Sequence, residues 1–408
     1  MSAKFLTFEQ AKNQILNELP PLSAMETVNL TRAMHRIAAK PIVSPLNVPG
    51  FNNSAMDGYA VRLSDLTKST QLPVADKILA GATVLPYWPE NSCLRIMTGA
   101  PVPPDADAVV MQEDIQILAD HIQFTQPIKQ RQNIRYIGED ITQNEMIVQS
   151  GQKLTIPILS TLATLGISEV DVYRPIKVAL FSTGDELCSI GTPLSAGKIY
   201  DSNRFTLTLM LQQLGCEIID LGIIPDCPEK IEQALKQAAD QADVIITSGG
   251  VSVGDADYTK QVLSQIGHID FWKIAMKPGK PFAFGHLNKA IFCGLPGNPV
   301  STVVTFYQLV QPLILKLSGQ TSAISNLLPF KVKALTNLKK KSGRLDFQRG
   351  ELIIDAQGEL GVISSGQQGS HITQSLSKAN CFIILEQMRE DVMAGEYVTV
   401  ELFNSLMS

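Results

Sequence analysis

The feature that most constrains this chain is an alternation, between Lys177 and Gly319, of short Val/Ile-rich runs with helix-length segments. KVALFSTG ends at a glycine turn and leads to a predicted helix over Ser202–Leu214. EIIDLGIIP precedes a helix over Pro228–Gln241, and DVIITSGG precedes one over Ala256–Ile266. Runs that are apolar on both faces and interleaved with helices require a parallel sheet covered by helices on either side. Two more runs, PFAFGHL and AIFCGLP, lead into a long helix with Asn298 at its N-cap and Pro299 in its first turn. Val303, Phe306, Val310, Leu313 and Leu317 share one face of it, Pro312 predicts a kink, and Gly319 ends it.

The flanks read differently. Phe8, Ala11, Ile15 and Leu19 recur at helical spacing over Thr7–Leu19, and Pro20 stops that helix. From Pro45 to Gln143 short apolar runs alternate with Pro, Gly and Asp turns, the texture of a small β-rich domain. A helix is predicted over Pro157–Leu165. Strands return after about Ser325, and some 80 residues of them suggest a small barrel or sandwich. The expected division is a discontinuous linker and dimerisation domain (1–44 with 144–176), a β-rich domain (45–143), the α/β domain (177–324) and a C-terminal β-barrel (325–408). A length of 408 residues requires several cores, since single ones stop growing at roughly 250–300 residues.

A hydrophobic fraction of 45% and a charged fraction of 18% describe a folded globular chain rather than a disordered one. The net charge of −5 gives no general footprint for nucleic acid, so an anionic ligand needs a local device. The N-terminal stretch lacks the apolar core of a signal peptide, and no run of about 18 apolar residues occurs. The six cysteines form no CxxC and the five histidines no HExxH, which argues against zinc and fits a reducing compartment. The expectation is a soluble cytoplasmic protein without nucleic-acid or membrane partners.

In open parallel sheets ligands sit beyond the carboxyl ends of the strands, near a switch in strand order. The polar residues of the α/β segment concentrate there: Ser182-Thr183-Gly184-Asp185-Glu186, Pro225-Asp226, the loop from Ser248 to Asp257, and Gly294 to Pro299. Ser248, Gly249, Gly250 and Ser252 belong to a loop whose backbone N–H groups can approach an oxyanion closely, although glycines also mark ordinary turns. Neither GxxxxGK[ST] nor GxGxxG is present. Lys273, Lys277 and Lys280 in WKIAMKPGKP form either a solvated basic turn or an oxyanion pocket. Glu186, Asp226 and Asp257 offer the hard oxygens that Mg²⁺ takes. Capping is the plain alternative: Asp226 with Glu229 reads as a capping box around Pro228, and Asp255 or Asp257 as an N-cap. SAMDGYA (54–60), MTGAP (97–101) and IGED (137–140) each read, taken singly, as turns. The residues alone support a metal-assisted enzyme or a binding protein for a phosphorylated ligand.

Taken together, NNSAMDGYA, MTGAPVP, NIRYIGED, FSTGDEL, YDSN, TSGGVSVGDADY, KPGKPFAFG, GLPGNPVS and DFQRG, in that order, resemble the molybdopterin molybdenumtransferase family, whose eukaryotic relatives include the C-terminal part of gephyrin. The resemblance implies transfer of molybdenum from molybdate to adenylylated molybdopterin, with Mg²⁺ and release of AMP. It also implies a homodimer with its active site between subunits, and a molybdopterin adenylyltransferase as the upstream partner. Carried over by motif, Glu186, Asp226 and Asp257 would serve the metal and pyrophosphate region, with Asp57 and Asp140 as further catalytic carboxylates. Lys273, Lys277 and Lys280 would hold oxyanions, with molybdate on the latter two, and Pro296 and Pro299 would shape the ligand loop. Thr98 and Arg135 would come from the β-rich and linker regions, with Asp57 and Thr98 facing the partner subunit. Arg349 and Ser370 would line the molybdate entrance.

Three rivals stand beside that reading: an activity like the molybdopterin adenylyltransferase on a related fold, a scaffold of the gephyrin kind, and a tungstate-specific paralogue. The flanking domains and DFQRG favour insertion over adenylylation. The chain as read carries no fused adenylyltransferase domain, which weighs against scaffolding. If the carboxylates work rather than cap, Glu186→Gln or Asp257→Asn lowers turnover with little change in melting temperature. Unfolding of either variant would support the capping or core role instead.

Overall fold

Seven strands form the sheet that organises the larger part of the molecule: β1 (Lys4–Leu6), β2 (Lys177–Thr183), β3 (Glu217–Ile224), β4 (Val244–Ser248), β5 (His268–Ile274), β6 (Pro281–Leu287) and β7 (Ala290–Leu295). Their order is β1-β5-β6-β7-β4-β2-β3. The sequence predicts an all-parallel sheet, but the computed structural model shows a mixed one. β6 runs antiparallel to both of its neighbours, and every other pairing is parallel. The reason is local: only Asn288 and Lys289 separate β6 from β7, with Asn288 at φ 54°. A two-residue turn can join antiparallel strands only. The other six strands therefore present their carboxyl ends along one rim.

Both faces are covered. Val178 and Leu180 point into one apolar cluster with Leu207, Met210 and Leu211 of α2 (Ser202–Gln213), while Ala179 and Phe181 point into another with Ile231, Leu235 and Ala238 of α3 (Pro228–Gln241). This alternation is the period-two geometry of a strand buried on both sides. Val262 and Leu263 of α4 (Tyr258–Ile266) join the second cluster, and Phe8, Ala11 and Ile15 of α1 (Phe8–Asn17) join the first. α1 starts at a capping box, in which Thr7 and Gln10 satisfy each other's backbone N–H groups.

The last helix, α5 (Pro299–Leu317), is long and apolar enough to cross a membrane, yet it is 89% buried inside the protein. It packs between sheet residues such as Ile246 and Cys293 and the barrel residues Phe347 and Phe382. Where the sequence predicts a kink at Pro312, the helix widens into a π turn over Phe306–Val310. Pro312 has no N–H and its ring crowds the Gln308 carbonyl, and a wider turn relieves both. Asn298 occupies the N-cap position but makes no side-chain cap, because the Val300 N–H is met by the Ser370 carbonyl at 3.0 Å.

After α5 the chain closes a barrel. β8 (Phe330–Ala334), β9 (Leu345–Ile354), β10 (Leu360–Ser364), β11 (Cys381–Leu385) and β12 (Tyr397–Leu402) pair in the order β9-β10-β8-β12-β11, and β11 returns to β9. Closure leaves no free edge. The structure describes residues 4–19, 24–250, 258–320, 329–404 and 406–407.

The chain divides into two units, one of Met1–Ala39, Gly151–Leu154 and Val170–Ser408, the other of Lys40–Ser150 and Thr155–Glu169. The second unit has its own four-stranded sheet, ordered Val74–Ile78, Cys93–Ile96, Gly58–Val61, Ala108–Met111. Ala60, Leu94 and Val109 fill one side of it, and Tyr59, Val61, Cys93 and Val110 the other.

Candidate active site at the carboxyl edge of the sheet

The chain leaves β2 for β3 on one side and then returns past β2 to β4 on the other. The carboxyl ends of β2 and β4 thus flank a switch in strand order, where the flanking loops diverge and leave a crevice. Gly249 and Gly250 leave β4 with φ of 91° and 68°. A Cβ on Gly250 would lie 2.3 Å from Thr259 Oγ1 and 2.9 Å from Thr183 Oγ1, so only glycine lets the backbone lie this close to β2. The second glycine loop abuts the first: Gly249 N–H donates to the Leu295 carbonyl at 3.2 Å, and a Cβ on Gly297 would stand 3.9 Å from Gly249 Cα. Thr183 Oγ1 is buried beside them without a hydrogen-bond partner among the described residues. A buried orphan hydroxyl is rare unless something else satisfies it.

The segment YDSN fixes the other wall. Asp201 is buried and caps α2 by accepting from Arg204 N–H at 3.2 Å. It also accepts from Ser182 Oγ of β2 at 3.0 Å and from Arg204 Nε at 2.8 Å. Arg204 reaches on to Asp220 at 2.5 Å. In the first turn of the helix, Asn203 Nδ2 donates to Ser248 Oγ at 2.8 Å and to the Gly297 carbonyl at 2.7 Å. Sequence reasoning quoted YDSN but singled out none of its side chains. The signal available was an Asp directly before a helix that follows the first strand.

Next along the rim lie carboxylates. Asp185 N–H donates to Asp226 Oδ2 at 3.4 Å, and Asp226 N–H to Asp185 Oδ1 at 3.2 Å. This reciprocal pair holds the β2 and β3 loops together. Asp226 therefore does not form the capping box considered above: the N-cap of α3 is Cys227, without a side-chain cap, and Glu229 accepts from Cys227 Sγ. The Glu186 carboxylate folds back over Gly184, where a Cβ would meet it at 2.7 Å. Burial raises the Asp226 carboxyl above its ordinary range, and the Asp185 and Glu186 charges add to that. Among the described residues no three His, Cys, Asp or Glu side chains enclose an ion. Two neighbouring carboxylates on an open rim suit Mg²⁺, which keeps waters and shares substrate phosphates. Asp257 and Ser252 lie outside the described residues.

KPGKP connects this rim to the barrel. Met276–Lys277 pairs with β9 at Leu345 and Asp346, and Lys277 Nζ sits 3.0 Å from the buried Asp346 carboxylate. Gly279, at φ 99°, is pressed against Thr305 of α5, where a Cβ would lie 2.3 Å from the hydroxyl. Lys273 is the last polar residue of β5, paired with Phe5 and Pro281, and Lys280 is exposed. Pro296 and Pro299 bracket the second glycine loop, and the Pro296 carbonyl accepts from Thr302 Oγ1 at 2.5 Å.

Arg349 is fully buried: its guanidinium donates to Ser375 Oγ at 3.0 Å and to the Gly369 and Gln367 carbonyls at 3.2 and 3.4 Å. Burial without a carboxylate contact lowers its pKa to about 10. The loop it grips ends at Ser370, the residue whose carbonyl meets the start of α5. Of DFQRG the sequence singles out Arg349 but not Asp346.

In the second unit, Asp57 and Thr98 are brought together. Asp57 Oδ1 accepts from Thr98 N–H at 2.8 Å and Thr98 Oγ1 at 2.7 Å, and these bonds hold its carboxyl below the usual range. Gly58 follows because a Cβ there would lie 1.9 Å from the Val110 carbonyl oxygen. Arg135 is exposed and pairs through its backbone with Asn53, and Asp140, also exposed, donates its N–H to Val48.

Three family descriptions match the chain: the MoeA N-terminal region (domain I and II) over residues 6–166, the probable molybdopterin binding domain over 179–316, and the MoeA C-terminal region (domain IV) over 331–403. The molybdopterin molybdenumtransferase of Haemophilus influenzae is 54% identical over 98% of this chain and 100% of its own length. This chain belongs to the molybdopterin molybdenumtransferase family. It is thereby a transferase of molybdenum cofactor biosynthesis that acts in molybdenum insertion. Gephyrin of Dictyostelium discoideum is 33% identical over 98% of this chain and 61% of its own length. The solved molybdopterin biosynthesis MoeA protein from Pyrococcus horikoshii superposes with a TM-score of 0.85 at 26% identity, covering 98% of this chain and all of that one. In this chain the matched domains bring the barrel strand of DFQRG against KPGKP.

The Asp226 environment generates a pH prediction. Its folded pKa is raised, so its charged form costs stability above that pKa, and the cost vanishes as pH falls below the ordinary value of 3.8. Asp226→Asn should stabilise the fold at neutral pH by under about 1 kcal/mol, an advantage lost in acid. The same variant should lose turnover. Thermal melts across pH, with activity assayed in parallel, check both halves.

Proposed function

We propose that the chain inserts molybdenum from molybdate into adenylylated molybdopterin, with Mg²⁺, and releases AMP. The observation that carries this reading is the contact of the two glycine loops at the strand-order switch, with a carboxylate pair on one side and KPGKP on the other. Backbone N–H groups beside Gly249 and Gly250 and the start of α5 favour a phosphate or pyrophosphate group there. Glu186 and Asp226, with Asp257, would hold Mg²⁺, which when bound offsets charge on the pyrophosphate. Lys273, Lys277 and Lys280 hold oxyanions on the same edge, with molybdate on the latter two. Asp346, 3.0 Å from the Lys277 ammonium, fixes where that side chain points.

The residues act mainly by positioning. The loops fix the P–O–P link, and the lysines bring molybdate to the pterin's sulfurs. Oxygen atoms balance when two oxo groups leave molybdate as the sulfurs bind, one ending on the cleaved phosphate link and the other leaving as water. Asp57 and Thr98 face the partner subunit in this reading, with the Asp57 carboxyl held below its usual range by the Thr98 hydrogen bonds, and Arg135 and Asp140 are further site residues. A homodimer accords with the segment from Ile190 to Leu209, where Ile190, Leu194, Ile199, Tyr200, Phe205 and Leu209 are all exposed. Arg349 and Ser370 shape the loop beside α5, next to the molybdate site. We assign the reaction to the cytoplasm, downstream of a molybdopterin adenylyltransferase.

An adenylyltransferase-like activity is the second reading, since the α/β domain alone would suit it. The engagement of KPGKP by β9 favours insertion, because it ties the lysines to a domain that adenylylation does not call for. With purified protein, adenylylated molybdopterin, molybdate and Mg²⁺, AMP is expected to accumulate with cofactor formation, and ATP is not consumed. ATP consumption with unadenylylated molybdopterin would support the rival, and no AMP from a folded protein would overturn the assignment.

A further inference from the structure

We infer that Asn203 is a positioning residue that sets the Ser248 hydroxyl as a hydrogen-bond donor toward an oxyanion in the crevice, a proposal that rests on the reading of this rim as the phosphate-binding site. The Gly297 carbonyl can only accept. It lies 2.7 Å from the Asn203 carboxamide, so the nitrogen must face it, since an oxygen there would be repelled. The second proton on that nitrogen then points to Ser248 Oγ at 2.8 Å, and the serine accepts. A hydroxyl that accepts on one side keeps its own proton for another partner. Ser248 donates it to nothing among the described residues.

That proton lies where the two glycine loops meet. Ser248 ends β4 immediately before Gly249, and Gly297 stands against Gly249 across the crevice. One carboxamide thus joins both loops and orients the hydroxyl between them. Asn203 is itself held rigidly, because the residue before its turn of helix is anchored by the buried Asp201 carboxylate to Ser182 of β2 and to Arg204. The end of β4 and the loop after β7 thus meet on this amide, and Asp201 ties its helix to β2.

The proposal separates orientation from scaffolding through charge. In Asn203→Asp the carboxylate would accept the Ser248 proton, removing the donor and setting a negative charge beside the anion. Its protonated form could donate again. In Asn203→Ala the hydroxyl merely loses its orientation. Binding of AMP and of inorganic pyrophosphate to the full chain with Mg²⁺ is measured by calorimetry for both variants, for Ser248→Ala and for the double variant with Asn203→Ala.

The expected result is affinity about tenfold weaker for Asn203→Ala, weaker again for Asn203→Asp near neutral pH, and recovery of the latter relative to wild type as pH falls towards about 4. The Asn203→Ala loss should shrink in the Ser248→Ala background. Wild-type affinity in Asn203→Asp, or losses that multiply in the double variant, would overturn the proposal while leaving the phosphate site standing. Failure of the wild type to bind either probe would remove the site reading and this proposal together. Melting temperatures are recorded throughout, and the isosteric Asn203→Asp with Ser248→Ala keeps the test open if Asn203→Ala does not fold.

Discussion

The approach of two loops without side chains, at the point where strand order reverses, is the constraint on which the rest of the site depends. Gly249, Gly250 and Gly297 bring backbone against backbone, and a Cβ at Gly250 would collide with Thr183 and Thr259. Such contact exposes peptide N–H groups to a ligand at the cost of local rigidity, since glycine is free in the unfolded chain. The rigidity is restored from outside the loops. Asn203 ties them together, Asp201 ties Asn203 to β2, and the Ser370 carbonyl ties down the start of α5.

The same logic explains why the barrel matters to an α/β site. β9 adds Met276–Lys277 to its edge, Asp346 pairs with Lys277, and Arg349 grips the loop that ends at Ser370. Asp346 and Arg349 of that strand are both buried, and a buried charge is tolerated only when it is well partnered. Asp346 has its lysine. Arg349 has carbonyls and a serine instead of an acid, and its lowered pKa is the trace of that bargain. A guanidinium stays charged even so, which makes it suited to holding a loop in place rather than to exchanging protons.

Much of this was legible in the sequence because the α/β segment writes its burial in runs apolar on both faces. KVALFST and VIITS could be little but central strands, and their ends located the rim. The antiparallel β6 escaped notice because PFAFGHL is equally apolar, and only the two-residue turn at Asn288–Lys289 gives its direction. For Asp226 the sequence left capping open beside a metal role, because its spacing to Glu229 allows a cap, and the structure gives its backbone and carboxylate to Asp185 instead. Asn203, Asp346 and the orphan Thr183 hydroxyl were not legible, since their roles arise from partners 45 to 94 residues away, or from burial that no local pattern reports. The ligand's name came from nine strings in order, and not from physics.

The central claim is that the crevice between the ends of β2 and β4 receives the phosphate of the adenylylated substrate. A crystal structure of the protein with AMP and Mg²⁺ tests it most directly. The account predicts the phosphate within about 3 Å of Ser248 Oγ and of backbone nitrogens in the loop after β4, with Mg²⁺ near Glu186 or Asp226. AMP seated elsewhere, such as the open groove beside His268 and His286 at the opposite ends of the strands, would contradict it.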